Sequence, residues 1–210
     1  MLLTFDTSLD KTYIGLADGY RLLGSKVLEN KGSTYHSTYL MSSITEILKE
    51  NNLTPQDITA IATNVGPGSF TGIRACTTVA RVMAQQLGCK VLGVSSLEIL
   101  SRVKRTGKKP LVLLDARKNM AYVWDEEVLG AIAINDVKEM VKADEYSVIC
   151  DDNMYKIFSE ITDDIVSYTS LNSNLAEILI SIVNERQKEL TTDWRTLTPL
   201  YIQPPPVFGK

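Results

Sequence analysis

The chain has 210 residues, enough to bury a sizeable hydrophobic core as one domain or as two lobes of about 100 residues each. Its 22 basic and 25 acidic residues give a net charge of -3, which excludes a surface that is basic overall and attracts nucleic acid or anionic membranes non-specifically. The three cysteines, Cys76, Cys89 and Cys150, match neither a disulfide framework nor a CxxC metal clip. We expect three reduced core residues, with a reactive thiol as the alternative.

The first residues, MLLTFDTSLDK, reach Asp6 too soon to form the apolar region of a signal peptide. No later run approaches the ~18 apolar residues of a membrane span. We therefore expect a cytoplasmic protein that makes no membrane contact.

The first half of the sequence alternates between strand and helix patterns. Short β-rich segments separated by turn signals predict strands, and apolar residues at helical spacing predict helices. The predicted order is β-β-β-α-β-α-β-α, over residues 2–7, 12–17, 20–28, 38–51, 58–64, 71–87, 90–94 and 96–104.

After the basic stretch at 102–110 the same order starts again. PLVLLDAR, NMAYVWDEE and EVLGAIAI predict three strands, followed by the helical NDVKEMVK, the strand YSVIC and a helix over 173–190. Two copies of a β-β-β-α-β-α unit, each opening with a strand that ends in Asp, resemble the actin, hexokinase and heat-shock ATPase superfamily. We predict an α/β fold with two actin-like lobes, residues 1–104 and a smaller, degenerate lobe at 105–210.

In that superfamily the turn after the first strand of each lobe grips phosphate groups. The resemblance therefore makes Asp6, Thr7, Ser8 and Asp115 candidates for a degenerate phosphate site. The other acidic residues are predicted to lie at turns and strand ends that face water.

The segment GPGSFTGIR, residues 66–74, joins a predicted strand to a predicted helix, an arrangement that often holds phosphate. Gly66 and Gly68 are added to the candidates for this reason. The segment lacks the Gly-Lys-Ser/Thr of a Walker loop, and its glycines are spaced one residue too widely for the dinucleotide fingerprint. The alternative is that the glycines only shape a tight corner, where we expect Gly68 to need a positive φ.

The combination of GPGSFTGIR and VSSLE, with FDTS near the start and LLDARKNMAYVW in the second half, resembles the TsaB (YeaZ) family over essentially the whole chain. The resemblance implies a non-catalytic relative of the TsaD transferase in bacterial synthesis of N6-threonylcarbamoyladenosine (t6A) at position 37 of tRNA. It also implies a TsaD-like partner, a TsaE-like ATPase, a homodimer when the chain is alone, and tRNA contact only through the complex. The tail YIQPPPVFGK and much of the second half depart from the family pattern.

Catalytic relatives carry two histidines four residues apart, at the positions that correspond here to Ser96 and Leu100. The only histidine of this chain is His36, so a two-histidine metal site cannot form. The chain also lacks the Gly-Gly dipeptide with which actin-like ATPases admit adenosine. We therefore expect no catalytic residue, no metal and no cofactor bound by the isolated chain, with ATP used by the assembled complex.

Two other function classes remain open at this point. An autonomous actin-like ATPase or small-molecule kinase is the main alternative, and it predicts nucleotide turnover by the isolated chain. A peptidase is the third possibility, although the chain has neither a GxSxG elbow nor a metal-binding histidine pair.

Two surface regions are predicted to carry the function. Apolar stripes on the helices at 38–51 and 71–87 predict a partner interface, formed by Leu40, Met41, Ile44, Ala75, Val79, Ala80 and Met83. The basic stretch is either a solvated loop or a local tRNA contact formed by Arg102, Arg105, Lys108 and Lys109.

Overall fold

A computed structural model describes residues 1–29, 37–103, 107–142, 145–171 and 173–203 of the chain. The chain divides into two compact units. The first comprises Met1–Ser96 and Asn174–Leu200, and the second comprises Leu97–Ser173 together with residues 201–203.

The first unit is built on a five-stranded sheet. Its strands are β1 (Leu2–Asp6), β2 (Thr12–Asp18), β3 (Arg21–Leu28), β4 (Ala60–Gly66) and β5 (Lys90–Ser95), in the spatial order β3-β2-β1-β4-β5. β1 pairs antiparallel with β2 and parallel with β4. All five residues of β1 are buried, as expected of a central strand that is covered on both faces.

Two helices cover one face of this sheet: α1 (Ser37–Glu50) and α2 (Phe70–Leu87). Ser69 caps the start of α2 by accepting a hydrogen bond from Gly72 N, and Gly88 ends the helix in the left-handed conformation at φ 64°. The core beneath the helices joins strand and helix residues that include Phe5, Ile44 and Ala80. A short helix, α3 (Ser96–Leu100), follows β5.

The second unit repeats the same topology on a smaller scale. Its elements are β6 (Lys109–Asp115), β7 (Met120–Asp125), β8 (Glu127–Ala133), α4 (Ile134–Val141), β9 (Tyr146–Cys150), α5 (Asp152–Phe158) and β10 (Ile165–Ser167). The sheet order is β10-β9-β6-β7-β8, which is the order of the first sheet with β6 in the place of β1. Helices α4 and α5 cover one face through Val137, Met154 and Phe158. The α/β class and the duplicated unit are therefore confirmed.

The last helix, α6 (Leu175–Glu185), belongs to the first unit, whereas the sequence analysis assigned it to the second lobe. It packs against the face of the first sheet opposite α1 and α2, where Thr4 Oγ1 donates to Ala176 O at 3.4 Å. Gly15 allows this approach, because a Cβ there would lie 3.0 Å from both the Ala176 and the Ile180 side chains. No helix among the described residues is long and apolar enough to cross a bilayer.

Candidate functional site

The predicted phosphate residues of the first unit come together at the end of β1. Asp6 is the last residue of this strand, and it is buried together with Thr7 and Ser8 in the loop that follows. The Asp6 carboxylate accepts hydrogen bonds from Ser8 N and Ser8 Oγ, both at 2.7 Å, and from Asn64 Nδ2 at 3.0 Å. All three donors come from the protein, so the carboxylate is held by the chain itself.

Burial also makes this carboxyl group harder to ionise. Removal from water raises the pKa of Asp6, and the nearby charge of Asp10 raises it further, while the donors from Ser8 and Asn64 lower it. Partial burial also raises the pKa of Asp10. A carboxyl group that resists ionisation is a weak ligand for Mg²⁺.

The glycine corner packs directly onto this loop. A Cβ at Gly68 would lie 2.5 Å from Ser8 O, and a Cβ at Gly72 would lie 2.0 Å from Thr7 O. Thr7 Oγ1 donates to Gly72 O at 2.8 Å, and Ser69 N donates to Ser8 O at 2.8 Å. The loop and the corner are therefore in backbone contact, and these two glycines are required for that contact.

The prediction of a positive φ at Gly68 is wrong. The positive φ of the corner lies at Gly66, at 105°, next to the cis peptide bond between Gly66 and Pro67. Gly68 is needed because a backbone carbonyl occupies the space of its missing side chain. The sequence alone does not distinguish a glycine that adopts a positive φ from a glycine that leaves no room for a side chain.

Two of the amides at the start of α2, which could have served as an anion site, bond to the protein. Ser69 N donates to Ser8 O and Gly72 N donates to Ser69 Oγ, while the bond from Ile73 N to Ser69 O is the first hydrogen bond within the helix. Amides that bond to protein carbonyls and hydroxyls are no longer available to a phosphate. The arrangement fits the alternative in which the corner is structural.

Ser96 and Leu100, at the positions of the histidine pair of catalytic relatives, are fully buried. Ser96 Oγ donates a hydrogen bond to Pro67 O and so ties the start of α3 to the glycine corner. Among the described residues no three metal-binding side chains lie together. His36 lies outside the described residues.

Asp115, the remaining phosphate candidate, lies in the second unit at the end of β6. Its carboxylate accepts from Arg117 N at 2.7 Å and from Asn153 Nδ2 at 2.9 Å, and its own amide donates to Asp151 at 2.6 Å. The structure thus places Asp6, Thr7, Ser8, Gly66 and Gly68 in one network and Asp115 in a separate network.

The helix pair α1–α2 exposes a different set of residues from the predicted set. Leu40, Ile44 and Ala80 are buried in the core because these positions of the stripes face the sheet. Met41 is 47% exposed, and Ala75, Val79 and Met83 are half-buried. The sequence analysis missed Tyr39, which is 55% exposed, and Val82, which is 53% exposed.

A helical wheel could have found Val82, because at 100° per residue it lies almost opposite Ala80. We use the name α1–α2 surface for the exposed and half-buried apolar residues of these helices: Tyr39, Met41, Ala75, Val79, Val82 and Met83. It is an apolar area on one side of the first unit.

The predicted tRNA contacts have varied surroundings. Lys109 Nζ lies 2.8 Å from Asp125, so its charge is paired with a carboxylate of the second unit. Arg102 and Lys108 are half-buried, and Arg105 lies outside the described residues. Lys109 is therefore less free to hold phosphate than the sequence suggests, because the carboxylates of Asp125 and Glu126 compete for its charge.

Comparison with known proteins identifies the family. Residues 27–148, more than half of the chain, match the family model described as TsaD: tRNA N6-adenosine threonylcarbamoyltransferase. The TsaB protein of Buchnera aphidicola subsp. Schizaphis graminum is 25% identical over 90% of this chain and 95% of that relative. Bacillus subtilis TsaB is 34% identical, over 41% of this chain and 38% of its own length.

A crystal structure of a Pseudomonas aeruginosa protein, described as similar to the peptidase YeaZ, superposes with a TM-score of 0.73. It is 21% identical, and the match covers 96% of this chain and 99% of that chain, which shows a common fold. With the family-model match and the named relatives, these observations establish that the chain belongs to the threonylcarbamoyltransferase family described by the TsaD model, in its TsaB (YeaZ) group.

Proposed function

We propose that the chain is a non-catalytic subunit required for t6A synthesis at adenosine 37 of tRNA. The names of its relatives support the pathway. In this proposal it pairs with a TsaD-like transferase and, through the pair, with a TsaE-like ATPase. The chain itself holds no cofactor, the assembled complex uses ATP, and tRNA reaches the chain only through the complex.

The observation that carries the proposal is the α1–α2 surface. Both helices pack on the same core, and each exposes large apolar side chains, Met41 on α1 and Val82 on α2. Ala75, a small half-buried residue on the same side of α2, allows another helix to pack close to the α2 backbone. A helix pair of this kind can dock against the same pair of a related chain, and a self-complementary version gives the homodimer expected of the isolated protein.

The filled loop after β1 supports a role without catalysis. The Asp6 carboxylate and the amides of Ser69 and Gly72 bond to the protein, so these groups are not available to a substrate. The alternative of an autonomous ATPase or small-molecule kinase requires these groups to open to nucleotide. Stabilisation of the isolated chain by magnesium-ATP in a thermal-shift experiment would favour that alternative.

The test places a charge in the α1–α2 surface. Val82→Glu buries an unpaired carboxylate when the partner docks, so affinity for the TsaD-like partner should fall by about 100-fold or more. Val82 is half-exposed in the free chain, so the melting temperature should change little. Leu129→Glu is the matched control, because Leu129 is 41% exposed on β8 of the second unit.

The measurement is co-purification with the TsaD-like partner, together with gel filtration of the chain alone. The proposal expects Val82→Glu to lose the partner and to elute as a monomer, while Leu129→Glu keeps both associations. Equal binding by the two variants would place the interface elsewhere. Ala80→Arg is unsuitable for this test, because Ala80 is fully buried and the variant should unfold.

A further inference from the structure

The sheet of the second unit carries a row of apolar side chains on the face opposite α4 and α5. Ala121 and Val123 of β7 belong to the core beneath these two helices. Because successive side chains of a strand point to opposite faces, Met120, Tyr122 and Trp124 lie on the other face. We call these last three residues the β7 row.

The edge strand β8 extends the β7 row on the same face. Tyr122 pairs with Ala131 and Trp124 pairs with Val128, so two aromatic rings are bordered by aliphatic side chains. These four residues are half-buried, whereas Val112, which pairs with Trp124 from the central strand β6, is fully buried. The face is therefore closed at its centre and partly open toward β8.

The last described residue of the chain contacts the first residue of this row. Gln203 Nε2 donates to Met120 Sδ at 3.8 Å, and both residues belong to the second unit. Residues 204–210 follow directly in the sequence as PPPVFGK, and we call them the proline tail. The tail therefore begins beside the β7 row.

The composition of the proline tail suits an aromatic and apolar surface. Consecutive prolines favour the polyproline II conformation, so they lose little conformational entropy when they bind. Domains that recognise this conformation do so with grooves lined by aromatic rings, which Tyr122 and Trp124 supply here. Val207 and Phe208 add apolar side chains to the tail.

The length of the tail also matches the row. A strand advances about 3.4 Å per residue, so Tyr122 lies about 7 Å and Trp124 about 14 Å beyond Met120 along β7. Polyproline II advances about 3.1 Å per residue, so Pro205 lies about 6 Å and Phe208 about 16 Å beyond Gln203. A tail that follows β7 brings its prolines to Tyr122 and its phenylalanine to Trp124.

We propose that the proline tail binds along the β7 row of its own chain, with the prolines against Tyr122 and Phe208 against Trp124. The tail of the same chain is the occupant because the contact of Gln203 with Met120 holds the tail beside the row at a high effective concentration. Docking covers the apolar face of the second unit. The contact involves the second unit alone and does not depend on the proposed function.

Photo-crosslinking tests the position of the tail in the full-length chain. Phe208→p-benzoylphenylalanine places a photoreactive ketone at the residue expected next to Trp124. Trypsin cleavage after Lys118 and Lys138 releases residues 119–138, which contain β7 and β8. After irradiation, residue 208 should be joined to this segment, in a product that has the mass of one chain on a denaturing gel.

Fluorescence tests the role of the prolines. The chain has two tryptophans, so Trp194→Phe leaves Trp124 as the single reporter. Adding Pro204→Gly, Pro205→Gly and Pro206→Gly makes the tail flexible without shortening it, so quenching of Trp124 by acrylamide should increase about twofold.

Tyr155→Ser in the same Trp194→Phe background is the matched control. It removes an aromatic side chain that is 40% exposed on α5, which covers the opposite face of the sheet. Quenching of Trp124 should not change in this variant. Circular dichroism checks that each variant is folded, and the photo-crosslink retains Trp194, so it tests the proposal even if Trp194→Phe lowers stability.

Three results would overturn the proposal. The first is a crosslink from residue 208 to a segment other than 119–138. The second is a product with the mass of two chains, which would show that the tail binds a second copy. The third is equal acrylamide quenching in the proline and Tyr155 variants. Failure of the wild-type chain to restore t6A in depleted cells would contradict the proposed function and leave the tail contact standing.

Discussion

The two units place an aspartate at the same point of the same topology and surround it differently. In the first unit Asp6 ends β1, is 2% exposed, and is closed off by Ser8, Asn64 and the glycine corner. In the second unit Asp115 ends β6, is half-buried, and is bonded to Asn153 and the Arg117 amide. The long helix α2 follows the glycine corner, whereas its counterpart α5 begins at an Asp151 cap and has seven residues.

This difference shows that topology and chemistry are separable. The duplicated sheet order survives in both units, while the loops that would hold a ligand are filled by different protein groups. In the first unit the filling is tight backbone packing, and in the second it is a set of side-chain hydrogen bonds. The units should therefore respond differently to mutation and to pH.

The largest effect is expected where the first unit is packed most tightly. Gly72→Ala places a methyl group about where Thr7 O lies, so the backbone of the loop or of α2 must move. We expect a loss of about 3 kcal/mol or more in the free energy of unfolding, measured by denaturant titration. Gly107→Ala in the second unit is the control, because a Cβ there meets nothing within 4 Å. Equal stability of the two variants would show that the loop contact is loose.

The next effect concerns pH and has opposite signs in the two units. Burial raises the pKa of Asp6 above its unfolded value near 3.8, so folding favours the protonated form and stability falls as pH rises from about 4 through the folded pKa. Asp10 adds a contribution of the same sign. Hydrogen bonds from Ser167 and Thr169 lower the pKa of Asp152, so its contribution is present above pH 4 and is lost as pH falls through its folded pKa.

Unfolding measured across pH separates these contributions. Asp6→Asn should flatten the decline above pH 4, although an amide facing Asn64 lowers stability at every pH. Asp152→Asn should flatten the loss at acidic pH. An unchanged slope in Asp6→Asn would mean that Asp6 is ionised in the folded protein at no cost, and the closed description of the first loop would be wrong.

The smallest effect concerns the thiols. Cys76 in the first unit and Cys150 in the second are fully buried, and burial raises the pKa of both, to about 12 for Cys76. Neither should react with a thiol reagent in the native protein at a rate near that of the unfolded chain. Labelling followed by mass spectrometry identifies the residue, and rapid modification of Cys150 alone would reveal that the second unit opens independently.

The sequence predicted the strands and helices of the first unit well, because long apolar stripes and turn residues mark them clearly. It missed α5 and β10, since seven and three residues are too short to show a period. It placed α6 in the second lobe, whereas the helix belongs to the first unit. This helix buries apolar residues over most of its circumference, and nothing in the local sequence states which sheet it covers.

The candidate site was predicted in composition and not in geometry. FDTS and GPGSFTGIR identified the residues that meet, but the carbonyls of Thr7 and Ser8 that explain Gly72 and Gly68 are visible only in three dimensions. The stripes of α1 and α2 were recognised, yet Leu40 and Ala80 proved to face the core, because hydrophobicity alone does not separate the buried part of a stripe from its exposed edge.

The central claim is that the chain acts through the α1–α2 surface and not through either aspartate. The most direct measurement is the t6A content of tRNA from depleted cells that express Asp6→Asn, Asp115→Asn or Val82→Glu, with each variant shown to be folded by circular dichroism. The account predicts that both aspartate variants restore t6A and that Val82→Glu does not. Normal t6A with Val82→Glu, together with loss of t6A in a folded aspartate variant, would contradict it.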